Sequence, residues 1–304
     1  MIRALLIIAV LSSFAAAKEI TENEVYAQVR LIQEHVHVLH RYFELDHLHA
    51  DEGTDQQQMK TELKPRNVWQ KSYEIMVKIN LLREENKLPF IEPVNMMPVL
   101  NLNPDLVYEQ TQRILTELKI FQLRMGIKSP TLKQQTFRGK TSLDVFNGLS
   151  HISTSLDELN KGGVTPSFVF AENMRLNDDI TLILQHLEIA DKTIPDTKNI
   201  SDTPEDAFNE GMKILEKIKQ LQIAAGIDFV DFSGFKKEKP TPSDVFSITQ
   251  MIIAELQTLK AYVGLRAVTP AATKYKTKTP AEVTQLMSWN LRKLSLIHSL
   301  NKGR

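Results

Sequence analysis

The sequence contains no cysteine. That excludes disulfide staples, thiolate metal sites and cysteine nucleophiles together, and leaves burial as the source of stability. Basic and acidic residues number 37 each. A chain of zero net charge with no basic block has no electrostatic footprint for nucleic acid or an anionic surface. No stretch after the N-terminus approaches the roughly 18 apolar residues of a membrane-spanning helix. The nucleophile signature GxSxG is missing, as is a glycine-rich phosphate loop.

What is present begins with residues 1–17. Arg3 is a positive n-region, Leu5 to Val10 an apolar run too short to span, and Ala15-Ala16-Ala17 a small-residue cleavage site. These features predict a signal peptide cleaved after Ala17 and an exported mature chain starting at Lys18. Export without disulfides favours a periplasmic or secreted bacterial protein. Asn199-Ile200-Ser201 is a glycosylation sequon, a motif common by chance.

The rest of the chain is a repeat. Thr241-Pro242-Ser243-Asp244 reads as a written helix start. The threonine accepts from free first-turn N–H groups, proline sits at N1, and the aspartate reaches back to the cap N–H. Val245, Ile248, Ile252, Leu256, Leu259 and Val263 then make one apolar stripe, and Gly264 is the left-handed stop. Taking Val245 as a phase marker, Val169, Ala207, Val245 and Val283 recur every 38 residues. Val25, Val68, Val107 and Val145 mark looser copies in the first half. An aromatic follows the marker in seven units: Tyr26, Trp69, Tyr108, Phe146, Phe170, Phe208 and Phe246. At that fixed place these side chains are core knobs or linker anchors rather than a ligand ladder. Gly126, Gly226 and Gly264 each lie 19 residues past their marker. The chain ends at Gly303-Arg304, about where the eighth unit stops.

The expected fold is all-α: eight single-helix repeats of about 38 residues, each a capped helix plus an extended return linker. The helix spans are 22–44, 66–86, 104–125, 142–160, 166–188, 204–225, 242–263 and 280–300. The linkers before Thr241 and Thr279 are 14 residues long. Fully extended, such a linker reaches roughly 46 Å, more than one helix length, so consecutive helices are free to run parallel. Apolar residues such as Phe229, Val230, Phe232 and Phe235 mark these linkers as packed straps. Only Asn160 to Val164 separate the fourth and fifth helices, which forces a tight antiparallel junction there. The chain thus divides into 18–163 and 164–304, two four-helix halves.

Chemistry-bearing residues are few. Five of the eight histidines lie in His35, His37, His40, His47 and His49. His40, Glu44 and His47 have the spacing to share one face of a helix and hold a transition metal. Against that, histidines at a helix C-terminus are favoured by the dipole alone. Trp69 and Trp289 are candidate binding-surface aromatics. The cap carboxylates Asp144, Asp206, Asp244, Glu24 and Glu282 are explained by their offset from the cap. Lys236-Lys237-Glu238-Lys239 and Lys274 to Lys278 are basic runs in linkers, suited to solvent or an acidic partner.

The function expected is a non-enzymatic exported scaffold with no catalytic or cofactor-binding residue. Its partners are proteins of the cell envelope, with homo-oligomerisation open. The alternatives are a periplasmic small-ligand or metal-binding protein using the first-unit histidines, and a hydrolase with an unfamiliar site.

Overall fold

The computed structural model describes residues 19–45, 62–133, 135–161 and 163–300. The signal-peptide reading and His47, His49 and Asp51 lie outside the described residues. Eight helices and no strand are present among them. They are α1 (Glu22–Tyr42), α2 (Pro65–Glu85), α3 (Pro104–Arg124), α4 (Ser142–Leu159), α5 (Pro166–His186), α6 (Pro204–Ala225), α7 (Pro242–Tyr262) and α8 (Pro280–Ser295).

The starts follow the sequence. Thr21/Glu24, Thr141/Asp144, Thr203/Asp206, Thr241/Asp244 and Thr279/Glu282 all form reciprocal capping boxes. In the Thr241 box, Asp244 Oδ2 accepts from the cap N–H at 2.8 Å and from its hydroxyl at 2.7 Å. Thr165 departs from the pattern and makes no side-chain cap bond.

The stops also recur, including where glycine is absent. Glu44, Lys87, Gly126, Glu188, Gly226 and Gly264 all have positive φ, between 55° and 86°. Each is followed by an apolar residue whose N–H closes the six-residue Schellman bond, such as Ile227 N to Gln222 O at 2.9 Å and Leu88 N to Arg83 O at 2.8 Å. The eighth helix ends at Ser295 rather than near residue 300, although Ile297 and Leu300 beyond it stay buried.

The helices form two rings of four. α1 packs on α3 and α4, and α2 packs on α3 and α4, which puts α1 opposite α2. The second ring repeats the arrangement with α5, α6, α7 and α8. Within each ring all four helices point the same way. Val25, Val68, Val107 and Val145, one from each first turn, close around a single cavity of about 10 Å³. Val169, Ala207, Val245 and Val283 do the same in the second ring. The phase markers are therefore the first layer of two parallel bundles.

Deeper layers follow at alternating steps of four and three residues, the heptad of a coiled coil. Ile32, Ile75, Ile114 and Ile152 make one, and Val36, Ile79, Leu118 and Leu156 the next, all at most 1% exposed. The isoleucine layer falls at heptad position d and the next layer, half of it leucine, at a; leucine at a with isoleucine at d shifts preference away from two strands towards higher-order assemblies. The second bundle interrupts its layers with polar residues. Asn173 donates to Thr249 Oγ1 at 3.1 Å, and Asn290 donates to the Asn173 carbonyl at 3.1 Å.

Parallel helices align their dipoles unfavourably. Half-charges at neighbouring ends about 10 Å apart repel by only about 0.1–0.4 kcal/mol per pair across effective dielectrics of 80 to 20. Burying one leucine-sized side chain contributes about 1.5–3 kcal/mol, so layer packing decides the arrangement.

The straps make parallel connection feasible, and the recurring aromatics tie them down. Tyr26 meets Phe137 edge-on at 4.9 Å, Phe170 meets Tyr275 at 5.0 Å, and Phe208 stacks on Phe235 at 5.8 Å. Asn80 clamps the strap between α2 and α3, donating to Ile91 O at 2.7 Å and accepting from Ile91 N at 2.9 Å.

Candidate functional site

The two bundles meet along α2 and α7. Their pairing is antiparallel: Arg66 meets Glu255, Gln70 meets Gln250 and Lys71 meets Ser247. These two helices are buried on nearly every side, so their outward positions form a seam rather than a solvated face. The densest chemistry of the protein lies there.

Glu255 is the centre of the first group. Arg66 grips both carboxylate oxygens at 3.0 Å, Asn67 donates to one at 2.7 Å and Gln222 to the other at 2.8 Å. Arg66 and Glu255 are each 2% exposed. Glu74 centres the second group. It accepts from Lys71 at 2.8 Å, Ser153 at 2.5 Å and Ser247 at 2.9 Å. Lys78 lies 3.4 Å from Glu74 and 2.7 Å from Asp157. Burial alone would raise the Glu74 pKa, but Lys71 and Lys78 override it and hold the carboxyl at about 2. Burial pushes Lys71 down and Asp157 up from their ordinary values.

Arg175 of α5 ties the seam to the straps. It donates to Tyr73 Oη at 2.7 Å, Glu172 at 2.5 Å, Asn95 Oδ1 at 2.6 Å and Pro270 O at 2.5 Å. Burial, then the Glu172 charge, pushes the Tyr73 phenol above its ordinary value. Gln250 links the groups, accepting from Gln70 at 2.6 Å and donating to Glu172 at 3.2 Å. Asp179 accepts from Lys260 at 2.6 Å, and Thr269 and Gln257 donate to its other oxygen. Five cations thus face five carboxylates: Arg66, Lys71, Lys78, Arg175 and Lys260 against Glu74, Asp157, Glu172, Asp179 and Glu255.

Chemically, this is a neutralised set. Each charge is committed to a neighbour on the same chain. A general acid or base must reach a substrate proton as well as have the right pKa.

The residues singled out from sequence fall elsewhere. His40 is 5% exposed, with Nε2 at 2.9 Å from Ser155 O and Nδ1 at 3.8 Å from Glu158. α1 ends at Tyr42, so Glu44 sits beyond the helix at φ 55°, an exposed left-handed residue, and does not share a helical face with His40. No group of three or more metal-ligating side chains occurs among the described residues. His35 is also buried, with Nδ1 at 2.8 Å from Gln122 Oε1. Trp69 is 5% exposed and packs in the core. Trp289 is half-buried, donates to Thr193 Oγ1 at 2.9 Å and has Lys293 Nζ 4.5 Å from its ring centroid.

The seam itself was missed from sequence. Its signal was a second stripe on α2, where Asn67, Gln70, Lys71, Glu74 and Lys78 follow one another at helical spacing. Polar residues off the apolar stripe read as solvent-facing by default. Comparison with protein-family models, curated proteins and solved structures finds no match to this chain.

Proposed function

We propose that this chain is an exported, non-enzymatic helical-repeat protein that binds or scaffolds other proteins of the cell envelope. One observation carries the reading. The charged side chains buried at the seam are committed to one another, whereas a strap on the outside presents apolar ones. Phe90, Val94, Met97 and Leu100, all between α2 and α3, are 63%, 50%, 57% and 43% exposed. Four large apolar side chains exposed on one strap go beyond the single scattered ones normal to a protein surface, as at interaction sites. No helix of the described residues is long and apolar enough to cross a membrane, which fits a peripheral role.

The test is chemical crosslinking in the native envelope followed by co-purification, comparing the natural chain with a Phe90→Ser, Met97→Ser variant. The reading expects a defined protein partner that the variant loses. Recovery of the bare chain alone, or of the same proteins by both, counts against it.

A further inference from the structure

The heptad identifies which side chains point away from their own bundle. On α7 these include Gln250, Ala254 and Gln257, yet their exposures are 0%, 0% and 1%. On α2 they include Gln70, Tyr73 and Glu74, none more than 3% exposed. Gln70, Tyr73, Glu74 and Gln250 are met there by side chains of the other bundle, whereas Gln257 bonds Asp179 and Thr269 of its own half. The two layers of burial differ in chemistry. Inside each bundle the layers are mainly aliphatic, while the covered seam is built from charges and amides. The chain crosses from one bundle to the other once, between Leu159 and Pro166.

We propose that the seam is a working joint: the two bundles part and re-close as intact bodies, with the facing sides of α2 and α7 entering water while the heptad layers stay packed. The physical basis is hydration. Opening an aliphatic layer exposes surface that water rejects. Opening the polar seam breaks one ion pair, Arg66–Glu255, while the other four pairs each lie within one bundle and stay made; the charges and amides so exposed return to water, and that gain nearly offsets the lost attraction. Burial already works against the charged forms of Lys71, Lys260 and Asp157. Gln70 Oε1, on the face that meets Gln250, is buried with no donor from the protein, and opening supplies it with water. Closure is kept specific by geometry that only the correct register satisfies, above all the bidentate Arg66–Glu255 pair and the bonds of Arg175 to Tyr73 and Asn95 of the other half. For a scaffold, such a joint makes the angle between the halves adjustable by whatever binds them.

The absence of native cysteine makes the test direct. Single cysteines are placed in the full chain at Ala254 in the seam and at Val36 in the core of the first bundle, which is 1% exposed. Gln70→Cys serves as a second seam probe on the opposite face. Circular dichroism and the urea midpoint establish that each variant is folded. Labelling by a thiol reagent is then followed below the unfolding transition. The joint predicts that a seam cysteine reacts at least about tenfold faster than the core cysteine, with little dependence on urea, the signature of sub-global opening. If Ala254→Cys and Gln70→Cys react at the same rate and with the same urea slope as Val36→Cys, the seam opens only when the protein unfolds and the proposal is wrong.

Discussion

The Arg66–Glu255 pair gives the sharpest quantitative expectation. Both side chains are 2% exposed, and Glu255 accepts four hydrogen bonds. Removing one partner of a buried pair leaves an uncompensated charge, at about 3–5 kcal/mol. Glu255→Met leaves the Arg66 charge uncompensated with only the Asp228 carbonyl as acceptor, so it should lose about 4 kcal/mol. Arg66→Met leaves Glu255 with its Asn67 and Gln222 donors, which places it at the lower end, about 3 kcal/mol. Replacing both removes the charges together. What remains is the unmade hydrogen bonds of Asn67, Gln222 and the Asp228 carbonyl, at roughly 2 kcal/mol for partly re-solvated groups. The double variant should therefore be more stable than either single one, against roughly 7 kcal/mol lost if the two effects simply added. Urea unfolding of the four proteins, read by circular dichroism at constant m, measures this. A double variant as unstable as the sum of the singles would refute the reasoning that the pair is a mutual neutralisation.

Three further expectations follow from other parts of the fold. Lys87 and Glu188 stop their helices at φ 57° and 59°, so Lys87→Gly and Glu188→Gly should each stabilise by about 0.5–1 kcal/mol, whereas Gly226→Ala, with open space around it, should lose about 1 kcal/mol in thermal or urea unfolding. A methyl added at Gly211 would lie 2.4 Å from Ile248 Cγ2 and 3.3 Å from Met287 Cε, so Gly211→Ala should destabilise by about 1–3 kcal/mol despite alanine's better helix propensity; a stabilised variant would contradict the close approach of α6 to its neighbours. Glu74 has a folded pKa of about 2 against an ordinary 4.5, so its contribution is complete above pH 4.5, declines below it, and is lost as pH falls through 2. Asp206, held down by the Thr203 backbone N–H and then its hydroxyl, adds a term of the same sign. Glu74→Gln should flatten the acid limb of a stability-versus-pH curve; an unchanged acid limb would remove Glu74 from that account.

The fold was largely legible because its information is local. Thr-Pro starts and left-handed stops act within a few residues, and the marker valines recur with a period that chance does not supply. Even Lys87 and Glu188, which break the glycine rule, sit at the offset the glycines define. Strap length correctly allowed parallel neighbours, since a 14-residue linker outreaches a helix. The seam was not legible because it depends on which outward faces meet. Arg66 and Glu255 are 189 residues apart, and nothing in either local pattern names the other. Lys71 and Glu74 look like a solvated helix face until Ser247 of the second bundle is placed against them. The helical face read for His40 and Glu44 fails for a related reason: spacing was counted as though α1 continued, but the chain turns left-handed at Glu44.

The central claim is that each half is a bundle of parallel helices joined by return straps. The most direct measurement is the distance between the first turns of consecutive helices. Cysteines introduced at Glu205 of α6 and Ser243 of α7 carry spin labels on an otherwise cysteine-free chain. Parallel packing predicts a separation near one interaxial spacing, about 10 Å before the label tethers are added. A separation of about 30 Å, one full helix length, would mean that the neighbours run antiparallel and would contradict the account.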